Sequence, residues 1–317
     1  MWKSGVTALL AAAAIGPVLA QPADEVEQGV GTMWEVLWHQ SGTPTRLVRW
    51  EQEMKVRIYG VNLALHKNHT LKALADVAAE AGVRLVDVSD RPDAATVANV
   101  SVEITPDHLL EENQPCVTYL NFQTETRIDS AAVQMRNRDA WRCAYHEAMH
   151  VMGVRGHPAG KTVLSYFPSK VDGLLPLDRV MLRAWYSPRM RGGMTPFEAL
   201  PIMADELVST MPDPVKAQQS RDRFFARTIE QMQAFADGNG DIPMIVKRSG
   251  KATQEGIRFG RMEMSYFLGI AYLEGATAPQ DQHQAVRWLQ RAATLGSRTA
   301  QARLGAATGA PTATSGR

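Results

Sequence analysis

The stretch that decides the fold is RDAWRCAYHEAMHVMG, residues 138–153, because it combines a helical period with a histidine pair. Its apolar positions recur at the three- and four-residue spacing of one helix face: Trp141, Ala144, Ala148, Met149 and Met152. We expect these residues to be buried, and Gly153 to end the helix at a position that glycine favours. His146 and His150 are four residues apart, so in a helix they lie on one face, about 6 Å apart along the axis.

The histidine pair can chelate one metal ion. Two neutral imidazoles at this spacing reach a single Zn²⁺ at the usual Zn–N distance of about 2.0–2.1 Å. Glu147, next to the first histidine, can hold a metal-bound water and accept its proton. A tight glycine-rich turn then carries His157, which we predict as the third ligand.

The motif alone leaves an alternative open, in which these histidines are ordinary core or surface residues. The chain has further histidines without a partner at ligand spacing, and we predict that they lie on the surface: His39, His66, His69, His108 and His283.

The residues before the motif predict a sheet. Segments that alternate apolar and polar residues, or that are rich in valine and isoleucine, predict five strands: 55–61, 84–88, 97–104, 116–122 and 131–135. A helix capped by Thr70 and covering Leu71–Ala81 separates the first two strands. The order strand, helix, four strands, helix predicts an α+β layer with a mixed sheet.

The residues after the motif predict a helical region. Residues 153–175 are interrupted by Gly and Pro and are predicted as loop. Helical spacing then resumes in four segments, of which the last holds two or three helices: Leu177–Tyr186, Thr195–Leu207, Pro214–Ala236 and Ile257–Leu304.

Residues 257–307 contain an internal repeat. Leu268-Gly269 recurs as Leu304-Gly305, 36 residues later, with Trp288 between the two copies. The pattern resembles a Sel-one-like repeat, a relative of the tetratricopeptide helical hairpins, in which small residues let two helices pack closely. Such units usually bind protein partners, and a helical cap that stabilises the preceding domain is the alternative. One full unit and a partial one bury little apolar surface by themselves. We therefore expect them to dock on the helices of 202–250.

The first twenty residues have the pattern of a secretory signal peptide. Lys3 precedes a short apolar run that ends at Ala20, where we predict cleavage. The run is too short to be a good membrane span, and an uncleaved N-terminal anchor is the alternative. No second long apolar stretch follows, so we expect a periplasmic or secreted protein without a membrane span. The formal net charge of +1 gives no basis for nucleic-acid binding.

Cys116 and Cys143 are the two cysteines of the chain. In an oxidising compartment such a pair can form a disulfide, and closing this loop restricts the unfolded chain. Two separate buried thiols are the alternative, because the sequence does not give the distance between them.

The metal motif and the segment after it resemble the metzincin metallopeptidases. The pattern HExxHxxG over residues 146–153, followed by His157, resembles their zinc-binding signature, although the family places the third histidine three positions after the glycine instead of four. Thr162–Tyr166 resembles their Met-turn, with Leu164 in place of the methionine. Leucine fills a similar volume under a metal site.

The resemblance covers about residues 35–200 and implies a metzincin-like sheet with an active-site helix. It implies Zn²⁺ on His146, His150 and His157, with Glu147 and Tyr166 as catalytic residues, Tyr166 stabilising the oxyanion. It also implies that substrate strands add to the sheet edge near residues 116–122. Residues 190–200 resemble an uncharacterised bacterial family whose members often lack the second histidine, so relatives need not all be enzymes.

Two functions therefore stay open. The first is an exported zinc metallopeptidase, a hydrolase that cleaves a peptide or protein substrate. The second is a non-catalytic periplasmic adaptor with a vestigial or structural zinc site, which binds protein partners through its repeat. Glu147 favours the enzyme, because a structural metal site needs no base. The predicted organisation is a signal peptide at 1–20, a metallopeptidase-like domain at 35–200, a helical linker region at 201–256, a helical repeat at 257–307 and a disordered tail at 308–317.

Overall fold

The computed structural model describes residues 25–38, 46–124, 126–165, 172–247 and 254–308. The predicted signal peptide, His39, Tyr166 and tail residues 309–317 lie outside these ranges. The strands are β1 (Met54–Gly60), β2 (Leu85–Asp87), β3 (Val100–Thr105), β4 (Cys116–Thr124) and β5 (Arg127–Arg136). The helices are α1 (Glu25–Val36), α2 (Leu63–Glu80), α3 (Ala94–Val97), α4 (Ala140–Val151), α5 (Pro176–Trp185), α6 (Pro196–Ser209), α7 (Pro214–Asp237), α8 (Met244–Lys247), α9 (Gln254–Glu274), α10 (Gln282–Thr294) and α11 (Arg298–Thr308).

Five strands form one mixed sheet in the order β2-β1-β3-β5-β4. Strands β1, β2, β3 and β5 run parallel, whereas β4 pairs antiparallel with β5. β4 is therefore an edge strand. Helices α2 and α4 pack against each other and against the sheet. The predicted α+β class with a mixed sheet, followed by a helical C-terminal region, is confirmed.

Three of the predicted elements begin elsewhere, and one of them, β5, begins at Arg127 instead of residue 131. α2 begins at Leu63, so Thr70 lies inside the helix and is buried instead of capping it. The start is set by Asn62, whose left-handed backbone (φ 51°) is one that asparagine tolerates. The strand predicted from residue 97 begins at Val100, because the short helix α3 comes first.

The sequence pattern does not predict α1, because Gly29 and Gly31 lower its intrinsic helix propensity. Tertiary packing stabilises this helix instead: Val30, Met33 and Val36 are fully buried, and α1 contacts α6 and α7. Propensity is a weak guide where a helix is held by its neighbours.

Hydrogen bonds to the end of α4 fix its position in the fold. The indole Nε1 of Trp50 donates to the carbonyl oxygen of Val151 at 2.8 Å. The hydroxyl of Tyr186 donates to the carbonyl oxygen of Met152 at 2.9 Å. Because these groups are buried, their hydrogen bonds are costly to lose, and the end of the motif helix is held on two sides.

The C-terminal helices form a hairpin that joins the main core. α9 and α10 approach closely at Gly269, where a Cβ atom would lie 2.6 Å from the Leu289 side chain. Trp288 is 1% exposed, as predicted for the joint. The hairpin docks on the preceding helices, where Gln233 Nε2 of α7 donates to the Tyr272 hydroxyl at 2.5 Å. The predicted docking is confirmed.

Four aromatic rings connect the hairpin to α1 and α6, and we call them the aromatic cluster: Trp34, Trp38, Phe197 and Phe267. Phe267 of α9 lies 5.6 Å from Trp38 and 5.7 Å from Phe197 between ring centroids. Trp34 of α1 lies 5.2 Å from both Trp38 and Phe197. Tilted and edge-to-face pairs at these distances are favourable. The repeat and the rest of the described chain thus share one core.

Cys116 and Cys143 form a disulfide, with Cα atoms 6.2 Å apart. The predicted bridge is confirmed, and it ties the first residue of the edge strand β4 to α4. Within the described residues, none of the helices has the length and apolar character needed to cross a membrane.

Replacing both Cys116 and Cys143 by serine should lower the free energy of unfolding by about 3–4 kcal/mol, since the bridge closes a loop between residues 27 apart. Urea unfolding in the presence of a chelator, followed by tryptophan fluorescence, measures this without a contribution from metal. The reduced wild-type protein is the control and should match the double variant. Equal midpoints for oxidised and reduced wild type would contradict the prediction.

Candidate metal centre

Three histidine nitrogens converge at the end of α4. The Nε2 atoms of His146 and His150 lie 3.0 Å apart, and each lies 3.1 Å from Nε2 of His157. The structure therefore brings together the three residues that the sequence predicts as metal ligands.

Two backbone carbonyls orient these rings. Nδ1 of His146 lies 3.0 Å from the carbonyl oxygen of Val163, and Nδ1 of His150 lies 2.7 Å from that of Val154. A carbonyl oxygen can only accept a hydrogen bond, so the proton of each neutral imidazole lies on Nδ1 and the lone pair on Nε2. Burial lowers the pKa of His146, which keeps this ring neutral near pH 7.

The donor set fits a zinc ion. His146, His150 and His157 offer three imidazole nitrogens close enough together to hold one ion, and imidazole nitrogen is a ligand that zinc prefers. The group offers three candidate protein ligands, the number typical of catalytic zinc sites.

Glycines in the turn after α4 bring His157 to the other ligands. Gly153 adopts φ +90°, and a Cβ there would lie 2.5 Å from the Val48 carbonyl oxygen. Gly156 passes over the end of α1, where a Cβ would lie 2.5 Å from the Val36 carbonyl oxygen. Because the chain at Gly156 packs directly on the backbone of α1, the turn can contain one residue more than the metzincin spacing. The imidazole of His157 still lies next to those of His146 and His150.

A buried carboxylate holds the segment that resembles a Met-turn. Asp178 is fully buried and accepts hydrogen bonds from the hydroxyl of Thr162, from the amide of Val163 at 3.2 Å and from the amide of Leu175 at 2.9 Å. Burial raises the pKa of Asp178, and the hydrogen bonds oppose that rise. Asp178 thereby positions the Val163 carbonyl that orients His146. Leu164, at the methionine position, is fully buried.

No motif in the sequence indicates that Asp178 holds the segment around Val163. The available signal was its place at the third position of α5, after Pro176, where acidic residues favour a helix start.

Glu147 lies beside the three imidazoles. It is 3% exposed, its Oε2 accepts a hydrogen bond from the Thr118 hydroxyl at 2.6 Å, and its Oε1 is 4.0 Å from Nε2 of His146. Burial raises the pKa of Glu147 to about 7, although the bond from Thr118 lowers it. Thr118 lies on the edge strand β4, and no spacing in the sequence indicates that it meets Glu147.

Two predictions around α4 are wrong. The sequence pattern predicts a buried Trp141, which is 45% exposed, and a surface position for His69, which is 9% exposed. Trp141 lies in the first turn of α4, where its neighbour is the His69 imidazole rather than the sheet. The two rings stack with centroids 3.6 Å apart, and the indole covers the imidazole. Tyr166 lies outside the described residues, so its catalytic role stays a prediction.

Comparison with known proteins identifies the C-terminal hairpin. Residues 263–297 match the Sel1 repeat family. The matched residues cover the C-terminal half of α9 and all of α10. No curated protein matches the chain, and no solved structure does.

Gly156→Ala should lower zinc affinity by roughly 10- to 100-fold, because the new Cβ meets the Val36 backbone and displaces His157. Competition titration with a chromophoric chelator measures the affinity. Gly173→Ala is the matched control, since a Cβ at Gly173 meets nothing within 4 Å. Equal zinc affinity in the two variants would show that the turn does not set the position of His157.

Proposed function

We propose that the chain is an exported, metzincin-like zinc metallopeptidase, with zinc on His146, His150 and His157 and Glu147 as the catalytic base. The observation that carries this proposal is the convergence of three histidine Nε2 atoms beside the carboxylate of Glu147. A structural metal site does not need such a carboxylate, whereas zinc-dependent peptide hydrolysis needs a base beside the metal.

Zinc, when bound, would supply a Lewis acid that polarises the substrate carbonyl and makes a water molecule more acidic. Glu147 Oε1 faces the imidazole nitrogens and can take the proton of that water, while Thr118 holds Oε2. A carboxylate at this position could accept the proton and return it to the leaving amine. From the metzincin resemblance, we propose that Tyr166 stabilises the oxyanion.

The edge strand β4 supplies a binding surface for an extended peptide. Its backbone pairs with β5 on one side, so the other side offers donors and acceptors to an added strand. The disulfide at Cys116 and the hydrogen bond from Thr118 keep this strand next to the metal centre. A substrate strand added to β4 would pass beside Glu147.

Export is supported by the disulfide together with the N-terminal sequence. Bridges of this kind form and persist in oxidising compartments such as the periplasm. The predicted signal peptide with cleavage after Ala20 agrees with that location, so we propose a periplasmic or secreted enzyme.

Glu147→Gln should lower the rate of peptide hydrolysis by about 100-fold or more. The zinc content of the variant should stay at one ion per chain. The amide keeps the shape and the bond from Thr118 but cannot take a proton. Hydrolysis of a casein digest, followed by mass spectrometry, and elemental analysis are the two measurements. Unchanged hydrolysis in this variant would remove Glu147 from the mechanism.

His157→Ala should lose zinc, since two imidazoles bind the ion far more weakly than three. Chelator treatment of the wild type should likewise stop hydrolysis, and added zinc should restore it. His283→Ala, on the exposed surface of α10, is the control for both measurements. Correctly folded wild-type protein that contains no zinc after growth in zinc-supplemented medium would contradict the proposal.

A second candidate function is that of an adaptor, and the match of residues 263–297 to the Sel1 repeat favours it. Deleting the repeat is a poor test, because Phe267 belongs to the aromatic cluster. A photo-crosslinker at the exposed Gln290 of α10 should instead capture one defined partner, equally in wild type and in Glu147→Gln. The same crosslinker at Leu65 of α2, which is 69% exposed, is the control. A defined partner in a protein without hydrolytic activity would support the adaptor over the enzyme.

A further inference from the structure

Arg155 is a half-buried cation beside the candidate metal centre. It lies in the turn between His150 and His157. Its Nε atom is buried and has no hydrogen-bond partner within the part of the chain that the structure describes. Among those residues, it contacts the ring of Phe122, whose centroid lies 5.9 Å from the guanidinium carbon.

A buried arginine elsewhere in the chain shows how such a charge is normally satisfied. Arg136 is 2% exposed, and its guanidinium contacts Asp139 at 2.5 Å and Glu112 at 3.2 Å. Burying a donor such as the Arg155 Nε without a hydrogen-bond partner costs free energy. The position of Arg155 therefore indicates a site for an anionic group that arrives with a ligand.

The position of Phe122 puts Arg155 along the edge strand. Thr118 and Phe122 both point to the side of β4 that carries α4 and the turn after it, although the pairing of β4 with β5 is irregular at Phe122. Thr118 contacts Glu147 and Phe122 contacts Arg155, so the strand runs from the candidate catalytic base towards this cation. β4 itself, CVTYLNFQT over residues 116–124, has no charged side chain. Arg155 therefore supplies positive charge at the far end of a neutral strand.

We propose that Arg155 binds a carboxylate of the substrate and makes the protein selective for acidic peptides. This inference rests on the proposed peptidase function, because it takes β4 as the strand to which substrate adds. A guanidinium offers parallel N–H donors that match the two oxygens of a carboxylate. The ring of Phe122 lies beside the guanidinium and lines the same end of the strand.

The strand geometry sets where the carboxylate must lie in the substrate. Thr118 and Phe122 are four residues apart, which corresponds to about 13 Å along a strand. A peptide paired with β4 would therefore present the carboxylate about three or four residues from the bond that is cleaved. An aspartate or glutamate side chain and the C-terminal carboxylate of a short peptide offer the same chemical group.

Binding to the zinc-loaded Glu147→Gln variant tests the proposal without turnover. The probes are fluorescent peptides of neutral sequence that carry one glutamate, placed at a different position in each peptide. Each peptide has a partner with glutamine at the same position, and fluorescence anisotropy gives the affinity of both. Glutamate at the favoured position should bind roughly 10- to 100-fold more tightly than glutamine. Versions with a free and an amidated C-terminus separate the two sources of carboxylate.

Substitutions of Arg155 in the Glu147→Gln background test whether Arg155 is the cation that binds the peptide carboxylate. Arg155→Gln should bind the glutamate and glutamine peptides equally, and Arg155→Glu should favour a lysine peptide instead. Arg57→Gln is the matched control, because Arg57 also stacks on an aromatic ring, Tyr59, but lies on β1, away from the β4 edge. Zinc content and the melting temperature of each variant verify that the site is intact.

The outcomes separate this inference from the proposed function. Equal affinity for acidic and neutral peptides in the unsubstituted background, or an acidic preference that survives Arg155→Gln, would overturn the role of Arg155. An acidic preference that depends on Arg155, in a wild-type protein that cleaves nothing, would support the site and contradict the peptidase. If Arg155→Gln loses zinc, Arg155→Lys is tested instead. Lysine keeps the positive charge but lacks the paired N–H donors, so the preference for glutamate over glutamine peptides should be reduced. An unchanged preference for glutamate peptides in Arg155→Lys would overturn the proposal.

Discussion

Three imidazole Nε2 atoms held 3.0–3.1 Å apart are the constraint on which the candidate metal centre depends. The surrounding chain holds the three rings in this arrangement. Backbone carbonyls fix two of the rings, the buried Asp178 fixes one of those carbonyls, and α1 supports the turn that carries the third ring. Much of the fold between α1 and α5 can be understood as the frame around these three atoms.

The sequence predicts the parts of this frame that depend on local spacing. The four-residue interval of His146 and His150 and the glycine after the helix are enough to identify the motif helix and two ligands. The alternating segments likewise identify the strands, because period two is a local property. The α+β class follows from their order. The position of His157 also follows, since the glycines on either side of Arg155 mark a turn that reverses the chain.

The remaining features depend on contacts between distant residues. Thr118 meets Glu147 only because β4 is the edge strand beside α4, and strand order is not encoded in the pattern of one segment. α1 contains two glycines and is held by α6 and α7, so its local sequence predicts no helix. His69 is covered by the ring of Trp141, a pairing of residues 72 apart that reverses the exposure expected for both. In each case tertiary packing overrides the local preference.

The aromatic cluster has a thermodynamic consequence. Phe267 of the Sel1 repeat packs on Trp38 and Phe197, and Trp34 of the same cluster belongs to α1, whose last turn touches Gly156 beside His157. Unfolding of one unit would expose apolar surface of the other, so the stabilities of units that share a core are coupled. A ligand that binds only the folded state stabilises everything that unfolds with it. A metal bound at the histidines would therefore also stabilise the distant hairpin against unfolding, and a protein bound to the hairpin would stabilise the histidine site in return.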